Sequence, residues 1–86
     1  MFVILTYDVS AKRDPKVMKI SRKYLSHCQK SVFEGMITES KLKRLKREIE
    51  KVIQYDEDSI RIYEFDSLKY ARKEELGRNS SDSNIL

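Results

Sequence analysis

The segment Phe2–Asp8, FVILTYD, admits few folds. Its apolar residues fall on both parities, Phe2 and Ile4 on one and Val3, Leu5 and Tyr7 on the other, so a strand here must be covered on both faces. A chain of 86 residues forms one small domain, near the size at which a single core is only just sufficient. One layer of helices supplies one cover, and a second copy of the chain is the economical source of the other.

The remaining periodicities fall into alternating elements. Asp14-Pro15 opens a predicted helix running to about Cys28, with Asp14 as N-cap, Pro15 at the first helical position, and Val17, Ile20, Tyr24, Leu25 and Cys28 as its apolar stripe. Residues 29–37 read as extended, either one strand kinked at Gly35 or two short strands in a hairpin. Thr38 is the N-cap of a second predicted helix, whose stripe is Leu42, Leu45, Ile49, Val52 and Ile53. The segment Ser59–Phe65 alternates as a strand, with Ile60 and Ile62 on one face and Arg61, Tyr63 and Phe65 on the other. Residues 67–76 fit a short strand or a helical turn, and the serines and asparagines of 77–84 predict a flexible tail.

This order is that of a ferredoxin-like α+β sandwich, βαββαβ, over residues 1–66, followed by a C-terminal extension over 67–86. Both helices then lie on one face of the sheet. The other face is expected to form a homodimer interface through Val3, Leu5, Tyr7, Tyr63 and Phe65, with residues 67–76 adding to the partner's sheet edge.

Charge is distributed unevenly along the chain. Residues 1–55 hold 13 Lys and Arg against 6 Asp and Glu, whereas residues 56–86 hold 5 against 8. The basic excess of the first two thirds suits a polyanion; the bland alternative is a charged, solvated surface. Lys12, Arg13, Lys16, Lys19 and Lys23 around the first helix, and Lys43, Arg44 and Arg47 on the second, are the candidate phosphate contacts. They offer charge density without an evident reading head for base edges, so binding is expected to be largely independent of sequence. Cys28 is the only cysteine and cannot form an internal disulfide. The N-terminal apolar run is too short for a signal peptide or a membrane span. These two features together place the chain in the cytoplasm, away from membranes.

Asp8 is a single carboxylate delivered by a doubly covered strand to its end, directly before the basic cluster. Read locally, it caps backbone N–H groups of the following turn. His27 is expected at a helix end, interacting with terminal carbonyls. Ser10 and Ser31 have no neighbour with the logic of an activated nucleophile. Tyr7 and Phe33 read as packing residues.

Tyr7-Asp8 and the basic helix start, then Gln29-x-Ser31-Val32-Phe33-Glu34-Gly35, the Thr38-Glu39 helix opening and Asp58-Ser59-Ile60-Arg61-Ile62-Tyr63 follow in order. Together, over about residues 1–66, they resemble the second, smaller of the two core CRISPR-associated adaptation proteins. The resemblance implies a ferredoxin-like homodimer that assembles with the larger adaptation protein, the integrase, and holds the DNA to be inserted as a new spacer. It also implies metal-dependent endonuclease activity on single-stranded RNA or duplex DNA. The strand-end aspartate, here Asp8, is then the catalytic metal ligand, and Mg2+ or Mn2+ the cofactor. Lys12 and Lys16 stand where many members carry arginines, which keeps phosphate attraction but not bidentate clamping.

Magnesium is commonly held by one or two carboxylates, with waters and substrate oxygens completing its octahedron. One Asp8 is sparse, two brought together across a dimer suffice, and Glu34 is the nearest second carboxylate by motif. A binding scaffold and a magnesium-dependent endonuclease both remain open. A free-standing endoribonuclease of toxin type is the alternative on the same fold.

Overall fold

The computed structural model of the chain describes residues 1–66 together with Glu74 and Leu76. Strand β1 (Phe2–Asp8), helix α1 (Asp14–Arg22), strands β2 (Ser26–Gln29) and β3 (Val32–Met36), helix α2 (Glu39–Glu50) and strand β4 (Ser59–Phe65) follow one another. The strands form one sheet in the order β2-β3-β1-β4, every neighbouring pair antiparallel. It follows that β1 runs parallel to β2, and β3 to β4, each pair with one strand inserted between them. Each helix is the crossover of such a split pair, which is the ferredoxin-like arrangement. The expected strand or helical turn over residues 67–76, apart from Glu74 and Leu76, and the expected tail over 77–84 lie outside the described residues.

Helix α2 forms where the sequence places it. Thr38 caps it by accepting the Lys41 N–H at 3.2 Å, Glu39 sits in the first turn, and Leu42, Leu45 and Ile49 are buried. Helix α1 is shorter than expected. Arg13 occupies the N-cap position without a side-chain cap, Asp14 is the first helical residue, and the helix ends at Arg22 rather than near Cys28. The N–H groups of Tyr24 and Leu25 both bond to the Ser21 carbonyl, closing a turn that drops Leu25 into the core.

Leu25 and Cys28 satisfy helical spacing, yet a segment this short also fits a strand, and β3 supplies ladder partners that decide the matter. Residues 26–36 are thus a hairpin turning at Lys30–Ser31, with the register irregular between His27 and Gln29. His27 accordingly lies in β2, where its ring stacks on Phe33 at 4.6 Å, and not at a helix end.

Pairing of β1 with β4 sets which residues share a face. Leu5 lies opposite Ile62 and Tyr7 opposite Ile60, while Phe2 lies opposite Phe65 and Ile4 opposite Tyr63. Val3, Leu5 and Tyr7 therefore point at the helices, where they join Val17, Leu25, Phe33, Ile37, Leu42, Leu45 and Ile49 in one core. This corrects the expected interface. Val3, Leu5 and Tyr7 are buried within the chain itself and share no face with Tyr63 and Phe65. Directly opposed residues in an antiparallel pair point the same way, so the companions of Tyr63 and Phe65 are Ile4 and Phe2. The Phe2 and Phe65 rings lie 6.2 Å apart on this open face.

Candidate functional site

The two carboxylates at the β1–β4 end of the sheet have opposite characters. Asp8, the last residue of β1, is exposed, and its carboxylate has no hydrogen-bond or ion-pair partner among the described residues. It lies opposite Ser59 and has the parity of Phe2, Ile4 and Thr6, which puts it at the end of the open face. It does not cap the following turn. That work falls to Asp58, whose side chain is fully buried. Asp58 accepts the Ser10 N–H at 2.9 Å, the Gln54 N–H at 2.9 Å and two N–H groups of Arg13 at 2.6 and 3.1 Å. The Arg13 guanidinium beside it, followed by these backbone donors, holds the Asp58 carboxyl well below the usual carboxylate range.

Tyr7 anchors the loop from the core side. Its hydroxyl donates to Asp14 Oδ1 at 3.0 Å, and its ring stacks with Phe33 at 6.3 Å. Burial, then the Asp14 carboxylate, push the phenol up to about 12. It is a neutral packing residue, as expected.

The candidate cations divide into two groups. Lys12, Lys16, Lys19, Lys43, Arg44 and Arg47 are exposed, and none forms an ion pair among the described residues. Arg13 is the correction: its guanidinium is mostly buried and spans Asp58 and Glu57, the latter at 2.8 Å, so it is committed to the fold and not to phosphates. Lys23 is paired with Glu48, which also accepts the Tyr24 hydroxyl, joining the end of α1 to α2. Glu48 raises the Lys23 pKa and is itself lowered by that partner. Both helices lie on one side of the sheet, so their exposed basic faces point away from the open face.

Glu34 does not join Asp8. It is buried and lies opposite Ile4, four residues up β1, about 13 Å away at strand rise. Among the described residues no cluster of three or more His, Cys, Asp or Glu could hold a metal ion. The described residues therefore offer no full protein donor set for a resident ion; an exposed carboxylate such as Asp8 could supply one position of an octahedron, and a second carboxylate, waters and phosphate oxygens would have to complete it. Sequence reasoning missed Arg61 and the Phe2–Ile4 stripe. Arg61 is exposed, opposite Thr6, two register pairs from Asp8 and on the same open face. The signal for it was available in its shared parity with Tyr63. No helix among the described residues is long and apolar enough to cross a membrane.

Comparison with known proteins agrees with this fold. Residues 1–73 match the family model described as CRISPR associated protein Cas2. The chain is 48% identical over 77 residues to the CRISPR-associated endoribonuclease Cas2 of Dictyoglomus turgidum, covering 90% of this chain and 88% of that protein. It is 42% identical over 86 residues to the protein of the same name from Thermotoga maritima, covering 100% and 99%. Among solved structures it resembles a crystal structure of cas2, with a TM-score of 0.84 and 36% identity over 94% of this chain and 91% of that one. It also resembles Streptococcus pyogenes Cas2, with a TM-score of 0.79 and 34% identity over 90% of this chain and 100% of that one.

Proposed function

Because this chain belongs to the CRISPR-associated Cas2 family, we propose that it is a cytoplasmic, dimeric nucleic-acid-binding protein of CRISPR spacer acquisition whose paired Asp8 residues form a magnesium-dependent phosphodiesterase site. The observation that carries this reading is the place of Asp8. It is an exposed carboxylate without a partner among the described residues, at the end of the same face that presents Phe65 and Tyr63. Two copies packed through that face bring two Asp8 carboxylates to one seam. The two Asp8 carboxylates would hold a magnesium or manganese ion there, which would polarise the phosphate and lower the pKa of a bound water so that hydroxide is available as the nucleophile.

The chain's own residues do the rest. Asp8 from each copy would balance the charge and fix the site, and Arg61, two register pairs away on the same face, would meet a phosphate oxygen. Tyr7 holds the start of α1 through Asp14, keeping Lys12 and Lys16 near the entering backbone. The outward faces of α1 and α2 offer lysines and arginines to phosphates without reading bases, which suits duplex DNA held for insertion by the larger integrase. Single-stranded RNA is the first substrate to assay for cleavage, since the relatives bear the name endoribonuclease.

That the described residues hold no cluster of three or more metal-ligating side chains favours a second reading, a scaffold that binds without cutting. Asp8→Asn separates the two. On the first reading it abolishes cleavage in Mg2+ or Mn2+ while leaving thermal stability and nucleic-acid affinity nearly unchanged. Equal cleavage by variant and wild type removes Asp8 from the site; no cleavage by either, with integration intact, leaves the scaffold.

A further inference from the structure

Asp8 has no side-chain partner among the described residues, so its carboxylate is aimed by the backbone on either side of it. On the strand side the ladder does this, with Tyr7 opposite Ile60 and Asp8 opposite Ser59. On the other side the ladder has ended, and the loop to α1 must be held by something else. Asp58 holds it. Its buried carboxylate takes the Ser10 N–H, two residues beyond Asp8, and both ends of the Arg13 fork at the N-cap of α1. Through the Gln54 N–H it binds its own loop as well. Asp58 also directly precedes Ser59, the residue that faces Asp8 across the ladder. A single side chain therefore ties both ends of the segment after Asp8 to the strand end that pairs with it.

Asp58 itself cannot serve an ion. Its side chain is fully buried and its oxygens are occupied by four donors. A buried carboxylate is tolerated only when so satisfied, and charge-assisted bonds of this kind are the strong and geometrically specific ones. The other ties on this segment are of a different kind: Val9 packs against the core, Arg13 and Asp14 share the Ser10 carbonyl, and the Tyr7–Asp14 bond begins only at the helix.

We infer that Asp58 is a positioning residue that fixes the β1–α1 loop and thereby sets where the Asp8 carboxylate stands. The inference rests on the reading of Asp8 given above and adds to it the residue that makes that carboxylate usable. Productive geometry at a reacting phosphate tolerates little error, and a misplacement of about 1 Å costs roughly a hundredfold in rate.

The test uses the full chain carrying Asp58→Asn. This variant keeps the size of the side chain, loses the charge that holds Arg13, and turns an amide N–H2 toward donors. Leu45→Val, a core change away from the site, serves as the control for lost stability. Amide hydrogen exchange over residues 8–13 and single-turnover cleavage in a Mg2+ titration are measured at a temperature where circular dichroism shows all proteins folded. Asp58→Asn should speed exchange at Ser10 to Arg13 by about tenfold or more relative to the control. It should slow cleavage by roughly ten- to a hundredfold at saturating RNA and raise the Mg2+ requirement, with little change in KM for nucleic acid. Leu45→Val should leave all of these near wild type.

Unchanged exchange in the loop overturns the inference, and so does wild-type cleavage by Asp58→Asn, or a loss in Leu45→Val as large as its own. If Asp58→Asn does not fold, Arg13→Gln, which removes the ion pair but leaves the Ser10 and Gln54 bonds, carries the same comparison. If Asp8→Asn cleaves like wild type, or no protein cleaves, the reading of Asp8 is what has failed. Exchange over residues 8–13 then decides alone whether Asp58 holds the loop.

Discussion

On the helix side of the sheet Val3, Leu5 and Phe33 have no exposed surface, whereas on the other side Tyr63 is 48% exposed and Met36 66%. The same strands make both faces. What separates them is the side-chain period of two combined with the β1–β4 register, which assigns Leu5 and Ile62 to the helices and Ile4 and Tyr63 to the open side. The closed face is completed within one chain and provides the stability of the fold. The open face is apolar at one end and ends in Asp8 at the other, a combination that suits association joined to chemistry better than solvent.

The largest expected effect breaks the closed face. Leu45 is wholly buried between α2 and the sheet, so Leu45→Ala should cost about 2–5 kcal/mol in chemical denaturation, enough to leave so small a domain largely unfolded. Next comes the outer surface of the helices, which belongs to neither sheet face. Charge reversal of Arg44 and Arg47 to Glu together should flatten the log–log salt dependence of duplex binding by about 2, near 0.9 for each lost phosphate contact. It should leave sequence preference alone, as a titration of labelled duplexes at several salt concentrations would read.

The smallest effect sharpens the closed face chemically. The Tyr7 phenol is raised to about 12 from 10.0, chiefly by burial, so the folded state keeps its proton more tightly than the unfolded chain. Its contribution is complete below pH 10 and is lost as pH rises from 10 through 12. Tyr7→Phe should lower stability at neutral pH by about 1 kcal/mol through the lost bond to Asp14, and should also remove part of the alkaline decline. Asp58 and Glu48 act at the other extreme. Both are depressed, so their stabilisation is present above the ordinary carboxylate range and fades as pH falls below it.

Much of this was legible in the sequence for physical reasons. Strand β4 alternates cleanly and α2 has both a stripe and a cap, so local signals agree with tertiary structure at both. Strand β1 was legible as a strand with apolar residues on both faces, yet those residues on either parity left its pairing register open. The expected interface paired Val3 and Leu5 with Tyr63 and Phe65 for that reason. Register is a tertiary fact, fixed by β4 arriving beside β1 from the far end of the domain, where Asp8 meets Ser59 and Phe2 meets Phe65. The end of α1 failed similarly, because Leu25 and Cys28 keep helical spacing in a segment short enough to be a strand, and β3 makes the choice.

At the candidate site, Asp8 was legible as an isolated carboxylate at a strand end. The capture of Arg13 was not. A basic residue beside two lysines reads as a phosphate contact until the fold brings Asp58 against it.

The central claim is that the open face joins two chains and that Asp8 works as a pair. Its most direct test is the double variant Tyr63→Asp, Phe65→Asp, examined by light scattering and by single-turnover cleavage in Mg2+. Both residues are exposed in the single chain, so the fold and Asp8 are retained. The account predicts a folded monomer that has lost cleavage. A folded monomer that cleaves at the wild-type rate per chain would contradict it.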